Sequence, residues 1–200
     1  MSRAYHHGAL RDALIEEGQR LLVEQGVESV SLRELARRIG VSHSAPERHF
    51  ANRQALLNAV AARGFTLLSG AVRQALDDHP GDLEDQFRAA ARAYVTFAQA
   101  NGPLLELMSA SKADQADDAI AKAAGGLISL TAELVGESAH DGPVTGASPL
   151  RLVIVSTLQG IATLAAAHWL SSGDVDAVIE EAVSVFLPVV AQRAPRAVRP

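Results

Sequence analysis

The stretch SLRELARRIGVSHSAPERHF, residues 31–50, has the pattern of two short helices joined by a turn. Ser31 and Glu34 form an S-x-x-E capping box, which predicts that the first helix begins directly after Ser31. Gly40 is placed to end this helix and to open a Gly-Val-Ser turn. The length and the turn glycine are typical of a helix-turn-helix. The apolar side chains that would hold it together are Leu32, Leu35, Ala36, Ile39, Val41 and Phe50.

Helical spacing of apolar residues continues on both sides of this stretch. Because aromatic content is only 4% and strict alternation is rare, the sequence predicts an all-α protein. We expect roughly nine helices in two parts: a three-helix N-terminal domain over residues 1–51 and a larger helical domain over residues 52–200. The helices are expected at about 10–25, 31–40, 43–50, 52–79, 83–100, 104–110, 114–135, 150–170 and 175–191.

Composition limits the classes of protein that fit. The chain has 200 residues, 48% of them hydrophobic, which is enough to bury a sizeable core. It has no cysteine, so a disulfide scaffold and a thiolate metal site are excluded. No charged-then-apolar leader opens the sequence, and the cytoplasm is the expected compartment. The net charge of −5 divides into +2 up to Phe65 and −7 beyond it, which fits a small nucleic-acid module joined to an acidic body.

One segment is long and apolar enough to cross a bilayer. The run LVIVSTLQGIATLAAAHWL, residues 152–170, contains no Asp, Glu, Lys or Arg. It does contain five polar side chains, and no basic cluster flanks it. We therefore expect a helix buried inside a protein, and no membrane partner.

Residues 5–65, from YHHGALRDAL to AVAARGF, resemble the DNA-binding domain of the TetR family of transcriptional repressors. The matching features are the capped helix, the run LRELARRIGVS, the RHF end of the second short helix and the ALL opening of the next helix. The segments YVTFAQANGPLLELM and LQGIATLAAAHWL also resemble a TetR subgroup marked by a tryptophan-valine-histidine-glycine-like (WHG-type) motif, of which Gly160 is retained.

The resemblance implies a transcriptional regulator that represses by binding a near-palindromic operator of double-stranded DNA as a homodimer. One reading helix of each subunit would enter the major groove. An unidentified small molecule bound in residues 52–200 would shift the affinity for DNA, and the last two helices would form the dimer interface. Ordinary packing within one chain would give those two helices the same apolar pattern.

The second short helix provides the candidate base-reading side chains. His43, Ser44 and Ala45 lie at its start, where side chains reach base edges, although solvent-exposed capping residues would look the same. Arg48 and His49 are better suited to phosphate contact. We also place Arg33 in the DNA-binding set. It belongs to a cluster with Arg37 and Arg38, one of which we expect to contact phosphate.

Glu47 is the main departure from the TetR pattern, because relatives usually carry a tyrosine there that touches phosphate. Three interpretations remain open. Glu47 pairs with a local cation such as Arg48, His43 or an arginine of the first helix. Alternatively, it accepts a hydrogen bond from a cytosine amino group in the major groove. In the third interpretation, the chain has weakened or lost operator binding.

The larger domain shows no catalytic motif, so we expect no enzyme activity, no cofactor and no metal site. Its helices are suited to a mainly apolar ligand cavity with a few polar groups, although core packing alone would explain each residue. The candidate ligand-binding residues are Tyr94, Phe97, Met108, Thr131, Thr157, Thr163, His168 and Trp169. The alternative to a regulator is a helical small-molecule-binding or protein-interaction module whose N-terminal domain no longer binds DNA.

Overall fold

The computed structural model describes residues 7–111, 118–137 and 147–193. Within these ranges the chain forms α-helices and short 3-10 helices and no strand, which confirms the all-α prediction. The α-helices are α1 (His7–Gln25), α2 (Leu32–Ile39), α3 (Arg53–Asp77), α4 (Leu83–Ala100), α5 (Gly102–Ser111), α6 (Asp118–Leu134), α7 (Pro149–Ala166) and α8 (Ser172–Arg193). The 3-10 helices are Val27–Ser29 and Pro46–Arg48.

The ends of α2 follow from the two signals in the sequence. The Ser31 hydroxyl accepts a hydrogen bond from the backbone N–H of Glu34 at 3.2 Å, which satisfies one free donor of the first turn. Gly40 ends the helix in the left-handed region with φ 72°, which favours glycine. Asn52 caps α3 in the same way, since its side-chain oxygen accepts from the N–H of Ala55 at 2.9 Å. These predicted boundaries are confirmed.

The second short helix differs from the expectation of one helix over 43–50. Residues 43–45 form turns, and only Pro46–Arg48 is helical, as a 3-10 helix. The backbone bonds here mainly span three residues: Ala45 N–H donates to the Ser42 carbonyl, and His49 N–H donates to the Pro46 carbonyl. Proline has no N–H to donate to a preceding turn, so it fits the start of this helix and not its interior.

Contacts group the chain into two compact units. The first draws on Met1–Gly64 and Pro103–Ile120, and the second on Phe65–Gly102 and Ala121–Pro200. The first unit thus extends past the expected domain boundary at 51/52. The reason is packing, since a Cβ placed on Gly18 of α1 would lie 3.2 Å from Val60 and 3.8 Å from Leu56, both on α3. The assignment of functions to 1–51 and 52–200 stays a prediction.

Fully buried aliphatic side chains form the core of the first unit, among them Leu14, Leu21, Leu22, Leu35, Leu56 and Val60. Residues of α5 also belong to this core, where they pack against Gly64 of α3. A Cβ placed on Gly64 would come within 2.7 Å of the Met108 sulfur and 3.1 Å of Leu104. A larger residue at position 64 would therefore require the Met108 side chain to move.

The core of the second unit lies where α4 packs against α7 and α8. Small buried residues, Ala98, Ala162 and Ala165, allow the close approach of these helices. Ion pairs cover the outer edge of the α4–α8 contact, with Arg88 of α4 lying 2.9 Å from Glu180. Arg92 of α4 lies 3.2 Å from Asp176.

Two of the described helices are long and apolar enough to span a membrane by length and composition alone. The apolar window of α3 is 56% buried, as expected of a core helix. The window of α7 is only 22% buried, and α7 ends at Ala166, four residues before the expected end at Leu170. The expectation of a buried helix at 152–170 therefore holds only for the face of α7 that packs on α4.

Candidate nucleic-acid interface and ligand cavity

Residues 42–49, which we call the reading segment, carry most of the candidate DNA-binding side chains. Four of them are exposed: His43, Ser44, Glu47 and Arg48. Ala45 and His49 are half-buried. The structure therefore places all six candidates on one short segment and leaves four of their side chains open to a partner.

The reading segment is held from beneath by apolar contacts. Pro46 is buried and Phe50 is 3% exposed, so both anchor the segment in the core of the first unit. The Arg11 guanidinium lies 5.3 Å from the centre of the Phe50 ring, a cation–π contact that sequence reasoning missed. At the start of the turn, the Val41 N–H donates to the Ala36 carbonyl at 3.0 Å. These contacts fix the position of the reading segment relative to α2.

The three arginines of α2 have different surroundings. Arg38 is held by three carboxylates: Glu34 at 2.9 Å, Glu17 at 3.3 Å and Glu24 at 3.6 Å. Its side chain is only 19% exposed. Arg37 is exposed but pairs with Glu34 at 2.6 Å.

Arg33 is exposed, and no carboxylate of the described residues pairs with it. Hydrogen bonds from Arg37 and Arg38 lower the pKa of the Glu34 carboxyl from 4.5 to about 2, so Glu34 remains ionised and holds both cations. Arg33 is thus the arginine of α2 that is most available to phosphate.

Glu47 is exposed and, within the described residues, forms no ion pair with Arg48, His43 or an arginine of α1. The local-pairing interpretation therefore has no support from the structure. The other two interpretations of Glu47, a base contact and a weakened interaction with DNA, stay predictions.

Arg53, the first residue of α3, is a structural contact that sequence reasoning also missed. Its guanidinium donates to the carbonyls of Val30 at 2.8 Å and Val27 at 2.5 Å. These bonds tie the start of α3 to the segment between α1 and α2. No sequence signal marks this role, because the acceptors are backbone atoms more than twenty residues away.

The second unit contains a cavity of about 70 Å³. Its wall is built from α3, α4, α6, α7 and α8, and it includes three of the candidate ligand-binding residues: Tyr94, Thr131 and Thr157. Tyr94 is 6% exposed, and its hydroxyl donates to the Gln159 side chain at 2.6 Å. Burial raises the pKa of Tyr94 to about 12, so the phenol stays neutral at physiological pH.

Comparison with known proteins gives two family matches along the chain. Residues 14–60 match the bacterial regulatory proteins of the TetR family, and residues 87–186 match the tetracyclin repressor-like C-terminal domain. The second match alone covers half of the chain. The chain belongs to the TetR family.

Individual relatives agree with this family assignment. An HTH-type transcriptional regulator of Mycobacterium tuberculosis is 34% identical over 89 residues, which are 44% of this chain and 38% of that protein. The chain thus matches well under half the length of these curated relatives. A protein of unknown function from Rhodococcus sp. RHA1 has a solved structure with 37% identity and a TM-score of 0.77, covering 97% of this chain and 100% of that one.

A more distant structure shows the same fold. The TetR-like regulator LfrR from Mycobacterium smegmatis, solved with proflavine, has a TM-score of 0.60 at 18% identity. It covers 88% of this chain and 94% of that one. The TetR resemblance read from the sequence is therefore confirmed, while the WHG-type subgroup suggested by Gly160 stays a prediction.

In this TetR-family chain, the other five candidate ligand-binding residues lie away from the cavity. Phe97 is half-buried without lining it, and Met108 belongs to the core of the first unit. Thr163 is exposed and donates to the carbonyl of Gln159 at 2.8 Å. His168 lies in the turn after α7 with φ 59°, and Trp169 is 79% exposed. Polarity and aromatic character alone did not identify which helix faces meet at the cavity.

Proposed function

We propose that this chain is a repressor of transcription that acts in the cytoplasm, binds a near-palindromic operator as a homodimer and responds to a small-molecule ligand. The family assignment carries the DNA-binding regulator part. The observation that supports operator reading is the exposed reading segment anchored by Pro46 and Phe50. His43, Ser44 and Ala45 are the proposed base-contacting residues, and Arg33, Arg48 and His49 are the proposed phosphate contacts.

The homodimer proposal rests on an apolar surface of α7 and α8. Six large aliphatic side chains on these two helices are 38–56% exposed: Leu152, Val153, Leu164, Val178, Val185 and Val189. Exposed apolar patches of this kind mark interaction surfaces. A Cβ placed on Gly160, between Leu152 and Leu164 on α7, would meet no described atom within 4 Å. A second copy of the chain would bury this surface in a four-helix interface.

Ligand response is proposed at the cavity that Tyr94, Thr131 and Thr157 help to line. A ligand changes DNA affinity only if it prefers one of two conformations of the protein. We propose that the protein exists in two conformations. The ligand binds one of them more tightly, and the operator binds the other more tightly.

The test is a fluorescence-anisotropy titration of the full chain against DNA upstream of its own gene, beside a scrambled duplex, at two salt concentrations. Three proteins are compared: wild type, Glu47→Tyr and Glu47→Gln. A repressor binds the native duplex more tightly than the scrambled one and loses affinity steeply with salt, as condensed counterions compete for the phosphates.

The two variants separate the remaining interpretations of Glu47. If its carboxylate accepts a hydrogen bond from the amino group of a cytosine, both substitutions weaken the preference for the native duplex. If the carboxylate only repels DNA, both substitutions raise affinity for either duplex. Failure of all three proteins to bind DNA in this assay and in a wider DNA selection would favour the alternative, a helical ligand-binding module.

A further inference from the structure

The wall of the cavity in the second unit is uncharged throughout. None of the eighteen described residues that line it is Asp, Glu, Lys, Arg or His. Fifteen are aliphatic or phenylalanine, with Phe87, Ile154, Ile179 and Phe186 among the largest. A charged ligand group placed there would lose its hydration without gaining a counter-ion, which strongly disfavours its binding.

Several charged side chains on the same helices are paired with one another. Arg73 of α3 lies 2.8 Å from Glu133 of α6, close in sequence to the lining residues Val72 and Thr131. Arg88 of α4 is held by Glu180, Glu84 and Asp85. Drawing any of these charges toward a ligand would break an existing ion pair. The ion pairs around the cavity therefore favour a neutral occupant.

Two of the three polar residues of the wall, Tyr94 and Thr131, have used their donors. The Tyr94 hydroxyl donates to Gln159, and burial keeps its pKa near 12, so it does not offer an anion. The Thr131 hydroxyl donates to the Ile128 carbonyl at 2.8 Å. A hydroxyl has one proton, so each of these two oxygens retains only acceptor capacity. The Thr157 hydroxyl forms no hydrogen bond within the described residues, so it can donate one to a ligand or accept one. The wall therefore suits a ligand with a single neutral polar group.

We infer that the cavity binds an uncharged, mainly hydrocarbon ligand whose one polar group, where present, is neutral. This inference rests on the proposed ligand response for the location of the site and goes beyond it by naming the class of ligand. A volume of about 70 Å³ is less than half of the roughly 150 Å³ cavity that holds a benzene molecule, so it has room for only a few carbon atoms. Typical pockets for drug-sized ligands measure roughly 300–1,000 Å³, so longer ligands require wall side chains such as Phe186 to move.

The first test compares three six-carbon probes that differ only in the head group: 1-hexanol, hexanoate and hexylammonium. Binding to the full wild-type chain at pH 7 is measured by ligand-observed NMR and by the thermal shift, both without DNA. We expect 1-hexanol to bind at least about tenfold more tightly than either charged probe. Within the alcohols, affinity should rise about fourfold per added methylene until the cavity is full.

Hexanoate or hexylammonium binding as tightly as 1-hexanol would overturn the inference, and so would the absence of binding by every alcohol. Location is tested with Ala91→Leu, which fills the wall on α4, and with Ala100→Leu as a control at the exposed end of the same helix. Loss of 1-hexanol binding in Ala91→Leu alone supports the inference. Unchanged binding in a folded Ala91→Leu protein places the site elsewhere and overturns it.

A separate measurement distinguishes failure of the proposed function from failure of the inferred ligand class. Adding 1-hexanol to the operator titration measures whether the ligand changes DNA affinity. An alcohol that binds in the cavity but leaves DNA affinity unchanged supports the inferred ligand class and contradicts ligand response as proposed. Because the head-group comparison uses no DNA, its result does not depend on finding the operator.

Discussion

Arg33 and Arg38 lie on the same short helix, and the structure predicts opposite consequences for their loss. Arg33 is exposed without a carboxylate partner among the described residues, whereas three carboxylates hold Arg38. We compare Arg33→Gln with Arg38→Gln, which remove the same charge. The expected result is a change in DNA binding for the first substitution and a change in protein stability for the second.

The size of the Arg33 effect follows from counterion release. Each phosphate contact contributes about −0.9 to the slope of log affinity against log salt concentration. A homodimer loses two contacts in Arg33→Gln, so its slope becomes less steep by about 1.8. Over a fourfold rise in salt, from about 50 to about 200 mM, wild type should therefore lose about twelvefold more affinity than the variant.

Arg38→Gln should leave the salt slope unchanged, because the Arg38 guanidinium is committed to Glu17, Glu24 and Glu34. Its effect should appear as a lower melting temperature. The assay is fluorescence anisotropy at five salt concentrations, with circular dichroism melts of the same samples. An unchanged slope in Arg33→Gln, or an equal loss of slope in both variants, would refute the reasoning.

Three further predictions concern stability and assembly. Ser31→Ala removes the side-chain acceptor at the start of α2 and should lower the free energy of unfolding by about 1 kcal/mol in urea titrations, while the exposed Ser109→Ala changes it little. Glu34 has its pKa lowered from 4.5 to about 2, so its ion pairs stabilise the fold above pH 4.5 and this contribution is lost as the pH falls toward 2. The difference in melting temperature between wild type and Glu34→Gln should accordingly shrink over that range, and a constant difference would contradict it. Val185→Asp places a charge in the proposed interface and should convert the dimer to a monomer in sedimentation measurements, whereas Val27→Asp in the first unit leaves the mass unchanged.

Local signals were read correctly from the sequence where neighbouring residues decide the structure. The capping side chains of Ser31 and Asn52 act within three residues of their own positions, so a short window contains both donor and acceptor. The bounds of α4 matched the prediction because Asp82 caps its first turn and Asn101-Gly-Pro interrupts its end. The family resemblance rested on the same kind of short-range spacing.

The extent of the reading segment was predicted less well. Pro46 was expected inside a helix of eight residues, but the structure begins a 3-10 helix at this residue. Pro46 is the fourth residue of the expected helix and the first residue of the observed one, and its missing backbone N–H suits the observed position. In the observed three-residue 3-10 helix, Pro46 and the nearby Phe50 are both buried in the first unit.

Composition and periodicity by themselves determined the all-helical class, and the capping and turn residues indicated the helix-turn-helix. The family came from the resemblance of residues 5–65 to TetR sequences. Only the tertiary structure decided which polar residues are available for function. Arg38 and Arg33 look alike in sequence, but carboxylates from α1 hold one and leave the other exposed. Tyr94 and Trp169 were equal candidates for ligand binding, yet Tyr94 lines a cavity and Trp169 is exposed. The physical reason is that ion pairs and cavities join residues more than ninety positions apart, and local spacing does not indicate which helix faces meet.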